Sequence, residues 1–216
     1  SRTVFIIIWL NKGMAMNKWL ISLSIAAALA NPAAQAAGDA AAGKEKSAVC
    51  AGCHNADGNS VNPLWPKIAG QHPGYIVQQL QDFKSGARQD PVMAPMAMPL
   101  SDEDMVNLAA YFSTQETTHG EAAAELVGRG EKLYRGGNLA TGVSACAACH
   151  APNGVGNPAA NFPALAGQHA AYVEKALKDF RAGTRNNDNA QMMQNVAARM
   201  TDDEIAAVAQ YIQGLR

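Results

Sequence analysis

Apolar residues recur at helical spacing in two matched pairs of segments. Tyr75, Ile76, Leu80 and Phe83 share one helix face and Gly86 ends the run. Tyr172, Val173, Ala176, Leu177 and Phe180 repeat the pattern, with Gly183 as the stop. Further along, Val106, Ala109, Tyr111 and Phe112 line up with Ala206, Ala209, Tyr211 and Ile212. A capping box opens each of these last helices, at Ser101-x-x-Asp104 and Thr201-x-x-Glu204. Ala40 to Cys50 and Glu121 to Tyr134 are rich in helix formers and predict a leading helix in each half. No alternating pattern of useful length predicts a strand, so the fold class is all-α. Between the helices lie long Gly/Pro/Asn-rich stretches, 55–70 and 151–167. Loops of that length inside small domains need a reason.

The matched segments are parts of one tandem repeat. Cys50-Ala-Gly-Cys53-His54 matches Cys146-Ala-Ala-Cys149-His150 at an offset of 96, and Pro66 to His72 matches Pro163 to His169 at 97. Tyr75, Asp82, Phe83, Gly86 and Arg88 find Tyr172, Asp179, Phe180, Gly183 and Arg185 at that same offset of 97. This predicts two domains of one fold, 37–118 and 119–216, joined through the polar stretch Ser113 to Gly120. Arg135 to Ala145 is largely an insertion in the second copy.

The segment ahead of the repeats has a different character. Met16 to Ala30 reads as a short basic start followed by an apolar stretch, and Ala34-Gln35-Ala36 is a small-x-small cleavage site. Residues 1–36 are therefore expected to be a signal peptide, with 1–15 as an N-terminal extension from a misassigned start. The mature chain would begin near Ala37 in an exported, oxidising compartment.

Composition sharpens this picture. The chain has 216 residues and a net charge of −1, without the basic excess of a nucleic-acid binder. Its apolar runs fall short of the ~20 residues that span a membrane. Arg2, Lys12 and Lys18 leave with the leader, which holds no acid, so the mature chain carries 14 basic and 18 acidic residues, net −4. All of that excess lies in residues 37–118, with five Lys/Arg and nine Asp/Glu, whereas 119–216 hold nine of each. Aromatics make up only 6% of the chain, too few bulky side chains for two ordinary small cores.

All four cysteines sit in the two Cys-x-x-Cys-His units. Two thiols three residues apart, followed by an imidazole, suit covalent haem c attachment. The thiols add across the haem vinyl groups and the His becomes an axial ligand. A thioredoxin-like redox pair expects a strand context. A four-Cys zinc site would need ligands from two distant repeat units, and a disulfide explains neither His54 nor His150. Two covalently bound haems would also supply the missing core volume.

The duplication filters the sixth ligand. Counting back from the capping residues, Met93 and Met193 coincide, eight before Ser101 and Thr201. Met96, Met98, Met105, Met192 and Met200 face aliphatic residues in the other copy and read as core filling. Thioether opposite imidazole closes the iron to substrate and points to electron transfer. His72 and His169 read as capping or hydrogen-bonding groups, and His119 as a solvated linker residue. Pro66 and Pro163 are candidates to offer a carbonyl to the axial His Nδ1–H, against a plain turn role. Trp65 and Phe162 precede them and could pack at a haem edge.

With its leader, its two Cys-x-x-Cys-His units, its two Pro-x-[Ile/Leu]-Ala-Gly-Gln-His segments, Met93/Met193 and Ala-Pro-Asn-Gly-Val-Gly at 151–156, the chain resembles the cytochrome c4 family. These are bacterial dihaem electron carriers built from two class I cytochrome c domains. The resemblance implies a periplasmic protein, soluble or loosely attached to the inner membrane. It would pass electrons from a quinol-oxidising complex towards a terminal oxidase, as a monomer without an enzymatic reaction of its own. It also implies that Cys50, Cys53, His54 and Met93 serve one haem, and Cys146, Cys149, His150 and Met193 the other, and it supports Pro66 and Pro163 as carbonyl acceptors. Two alternatives are a dihaem redox enzyme, peroxidase-like or thiosulfate-oxidising, with one labile axial ligand, and a haem subunit cut from a membrane anchor. The charge split predicts the lower potential for the haem of the first repeat.

Overall fold

The computed structural model describes residues 38–216; the expected leader, 1–36, lies outside the described residues. Ten α-helices follow in two sets of five. The first set is α1 (Ala40–Lys46), α2 (Ala51–His54), α3 (Pro73–Ser85), α4 (Met93–Ala97) and α5 (Asp102–Ser113). The second is α6 (Ala124–Gly136), α7 (Ala147–His150), α8 (Ala170–Ala182), α9 (Met192–Ala197) and α10 (Asp202–Gly214). Among the described residues the only β pairing is two isolated bridges, Asn138 with Val143 and Asn157 with Phe162.

Local chemistry sets the ends of α3 and the starts of α5 and α10 where the pattern predicts them. By contrast, α1 stops at Lys46, short of the expected Cys50, and α6 begins at Ala124 rather than Glu121. Pro73 opens α3 with its φ already fixed, and Gly86 closes it at φ 81°. Both capping boxes form in full: Ser101 Oγ accepts from Asp104 N–H and Thr201 Oγ1 from Glu204 N–H, while each carboxylate accepts from the cap N–H. Asp104 also meets Lys46 of α1 at 2.9 Å. These hydrogen bonds, first from Ser101 and then from Lys46, hold its carboxyl at about 2.

In each repeat the leading helix packs across the last one, α1 on α5 and α6 on α10, and the third helix packs on the last as well. The first crossing is closest at glycine. A Cβ on Gly43 would stand 1.9 Å from the Asn107 carbonyl oxygen, and one on Gly130 would stand 2.1 Å from that of Ala207. Asn107 and Ala207 are equivalent positions, six beyond their capping residues. The two cores differ in size. Repeat one gathers Ile76, Leu100, Met105, Leu108, Ala109 and Phe112, with Cys50 and Ile68 at its margin. Repeat two adds Leu133, Tyr134 and Val143 to the equivalents of these, with Cys146 and Met193 at its margin.

The stretch 113–120 is tied down along much of its length. Thr117 Oγ1 donates to the Ala69 carbonyl at 2.7 Å, and Thr118 N–H donates to Asn59 Oδ1 at 2.9 Å. Within the 135–145 insertion, Asn138 Nδ2 reaches Glu204 Oε1 at 2.7 Å and anchors the insertion to α10.

Candidate functional site

Each Cys-x-x-Cys-His unit forms a single helical turn. His54 N–H donates to the Cys50 carbonyl and His150 N–H to that of Cys146, both at 2.9 Å. Spacing of three and four residues puts both thiols and the imidazole on neighbouring positions of one face. Straight after each His the chain leaves the helix through a non-glycine residue with positive φ, Asn55 (φ 61°, ψ 165°) and Ala151 (φ 64°, ψ 156°). That backbone region is almost exclusive to glycine. The reversal sends loops 55–70 and 151–167 back over the turn, and Pro66 and Pro163 arrive beside the rings. His54 Nδ1–H donates to the Pro66 carbonyl at 2.8 Å and His150 Nδ1–H to the Pro163 carbonyl at 2.9 Å. The contact is through the backbone carbonyl, a role that spacing alone left open beside that of a plain turn proline.

Burial pushes both imidazoles below their ordinary pKa, against the smaller upward pull of the proline carbonyl. The rings are therefore neutral. A carbonyl can only accept, so the proton sits on Nδ1 and the Nε2 lone pair is free to bind a metal. The thiols are unpaired. Burial, then the neighbouring Cys53, raises Cys50, and burial pushes Cys146 up to about 11. Among the described residues no three His, Cys, Asp or Glu gather as a metal cluster. The donor set fits haem c: paired thiols, then a buried neutral imidazole with its second nitrogen free.

Met93 is the first residue of α4 and Met193 the second of α9, and each is half-buried. An aspartate holds each backbone in place. Met93 N–H donates to Asp90 Oδ1 at 2.9 Å, and Met193 N–H to Asp188 Oδ2 at 2.8 Å. Sequence reasoning passed over both aspartates, because Asp90 lies three residues before its Met and Asp188 five. The other methionines divide. Met105 and Met200 fill the core as expected, at 0% and 4% exposure, whereas Met96, Met98 and Met192 are exposed at 41%, 59% and 37%. The core-filling assignment fails for those three because α4 and α9 are short surface helices with one buried face.

The remaining candidates divide, and His72, expected to cap or hydrogen-bond, has its Nε2 buried with no hydrogen-bond partner. His72 and His169 are the capping residues of α3 and α8, yet neither side chain caps its helix. His169 Nε2 instead bonds the Ser60 carbonyl at 2.8 Å, and His119, though exposed, bonds the Leu215 carbonyl at 2.7 Å. The Phe162 ring stands 6.2 Å from the His150 ring, while Trp65 is 38% exposed.

The repeats are also joined by paired contacts across α3 and α8. Arg185 Nη2 donates to Tyr75 Oη at 2.8 Å and Arg88 Nη2 to Tyr172 Oη at 3.2 Å. Each guanidinium lies over a phenylalanine, Arg88 on Phe83 and Arg185 on Phe180. Gln79 Oε1 accepts from both guanidiniums. Burial raises the Tyr172 phenol, but Arg88 and Arg185 outweigh it and bring it to about 8.

Two helical repeats, each with a Cys-x-x-Cys-His turn and a proline-held imidazole, define a dihaem c-type cytochrome. The cytochrome c family model matches residues 40–116 and again 127–216. Cytochrome c4 of Pseudomonas aeruginosa is 50% identical over 201 residues, which cover 93% of this chain and all of that protein. A thiosulfate dehydrogenase electron acceptor of Stutzerimonas stutzeri is 41% identical over 84% of this chain and 80% of its own length. The crystal structure of reduced cytochrome c4 from Pseudomonas stutzeri superposes with a TM-score of 0.81 at 50% identity, over 83% of this chain and all of that one. The chain belongs to the cytochrome c family and, within it, to the dihaem cytochromes c4. It binds two covalently attached haems and carries electrons. The haem supplies reversible exchange between ferric and ferrous iron; the chain's own residues hold, orient and shield it.

Proposed function

We propose that Cys50 and Cys53 hold one haem through thioether bonds, with His54 and Met93 as its axial ligands. Cys146, Cys149, His150 and Met193 hold the other, and the Pro66 and Pro163 carbonyls fix the two imidazoles. A single observation carries this reading: at matched positions both repeats present a neutral imidazole with Nε2 free and a methionine whose backbone is held by an aspartate. Two thioether-closed irons favour a carrier over the enzyme alternative, and thioether in place of a second imidazole raises the potential. The carrier works in the bacterial periplasm, with residues 1–36 as its export leader. It takes electrons from a quinol-oxidising complex and delivers them to a terminal oxidase, as a monomer that is free or loosely attached to the membrane. The name of the Stutzerimonas relative favours a second donor, a thiosulfate dehydrogenase.

Oxidised Met–Fe–His haems absorb weakly in the far red. Met193→Ala is expected to remove half of that band and Met93→Ala the other half, with two haems still counted by mass. Survival of the full band in either variant would overturn the ligand assignment. Stopped-flow reduction by each donor, run side by side, ranks the two partner readings.

A further inference from the structure

The repeats exchange a reciprocal pair of buried glutamines. Gln168 of repeat two forks the backbone of Lys67 in repeat one: its Oε1 accepts from Lys67 N–H and its Nε2 donates to the Lys67 carbonyl, both at 2.9 Å. Gln71 of repeat one does the same to Ala164 in repeat two, accepting at 2.9 Å and donating at 3.0 Å. Their exposures are 8% and 7%. Each amide is further oriented by the next residue of its own chain, since Oε1 also accepts from His169 N–H at 3.1 Å or His72 N–H at 3.0 Å.

Lys67 and Ala164 immediately follow Pro66 and Pro163. The peptide group whose C=O accepts from His54 Nδ1–H is therefore the one whose N–H donates to Gln168. In the other repeat, the peptide whose C=O accepts from His150 Nδ1–H gives its N–H to Gln71. One delocalised amide plane thus separates each imidazole from a side chain of the opposite repeat.

We propose that Gln168 and Gln71 are positioning residues that each tune the haem of the opposite repeat through this peptide. The inference rests on the axial roles assigned to His54 and His150. An acceptor on a peptide N–H polarises the amide and makes its carbonyl oxygen a stronger acceptor, as in any hydrogen-bonded chain. A stronger acceptor on Nδ1–H makes Nε2 more basic, and a more basic ligand favours ferric iron. Each glutamine therefore lowers the potential of the haem across the interface. A purely adhesive contact would have no such direction.

The test is a two-step redox titration of the dihaem protein, with the steps assigned through Met93→Ala and Met193→Ala. Gln168→Met, similar in length and unable to accept, is expected to raise the step of repeat one and leave that of repeat two in place. Gln71→Met is expected to do the reverse. Gln168→Asn and Gln71→Asn stay polar but lose the reach of one methylene, and give the same pattern should a Met variant fail to fold. Movement of the glutamine's own repeat, equal movement of both steps, no movement or a fall would each overturn the proposal. A far-red band that ignores Met93→Ala and Met193→Ala would instead remove the ligand reading beneath it. A band that responds, with unmoved glutamine steps, removes only the cross-repeat link.

Discussion

The two imidazoles owe their readiness for iron to burial and to one carbonyl each, and that carbonyl arrives only because the chain reverses at Asn55 and Ala151. Asn55 is helped by its own side chain, whose Nδ2 donates to the Asn59 carbonyl at 2.5 Å. Ala151 has no such support and bears the steric cost at φ 64°. A residue held in that region costs on the order of 1–3 kcal/mol, partly offset on replacement by the chain entropy of glycine. Ala151→Gly is therefore expected to raise the unfolding free energy of the holoprotein by about 1 kcal/mol. Denaturant unfolding followed at the haem bands checks this, and a loss of stability would contradict it. At this scale the Cys-x-x-Cys-His units were fully legible, because thiol and imidazole act within one helical turn. Asp90, Asp188 and the clamp made by Gln71 and Gln168 were not. Their partners are backbone groups, which carry no signature in a side-chain pattern.

The leading, third and last helices of each repeat were legible as elements from runs of helix formers, apolar spacing, glycine stops and capping boxes, all of which are local signals. The short α4 and α9 were not, and neither was how the helices pack. Gly43 and Gly130 look like poor helix formers in helix-rich segments, and only the crossings of α1 on α5 and α6 on α10 give them a reason. Gly128 lies in the same helix as Gly130 with nothing within 4 Å of its Cβ position. The pair therefore separates propensity from packing. Gly128→Ala is expected to stabilise by about 1 kcal/mol through helix propensity. Gly130→Ala should destabilise by roughly 1–3 kcal/mol, since the Ala207 carbonyl is backbone and α10 must shift. Thermal unfolding of the two variants in parallel decides this, and equal stabilisation by both would show that the crossing is loose. The exposed Met96, Met98 and Met192 carry the same lesson. Spacing marks a position as apolar, but only the packed element shows which face is covered.

At the scale of the two repeats together, residues 37–216, the formal charge is carried by repeat one, net −4 over residues 37–118 against zero over 119–216. Negative charge stabilises ferric iron, so the haem of repeat one is expected to titrate at the lower potential. The acids responsible are mostly at the surface, and salt screens such charges over about 8–10 Å. The gap between the two steps should narrow as ionic strength rises. A higher potential for repeat one at low salt would defeat the expectation, and a salt-independent gap would assign it to buried groups instead. The interface is built from equivalent residues, Tyr75 with Arg185 and Tyr172 with Arg88, yet Gln79 has an alanine, Ala176, as its counterpart. Duplication thus gives a nearly symmetric join with unequal detail.

The sequence by itself determined the all-α class, the duplication, the attachment motifs and the matched methionines. Each of these is written in short-range spacing or in one copy read against the other. Only the tertiary structure decided which carbonyls meet the imidazoles, which glycines let helices touch, and that each repeat grips the peptide behind the other's histidine. Those contacts join residues far apart in the chain, and hydrogen bonds to backbone leave no residue type to read.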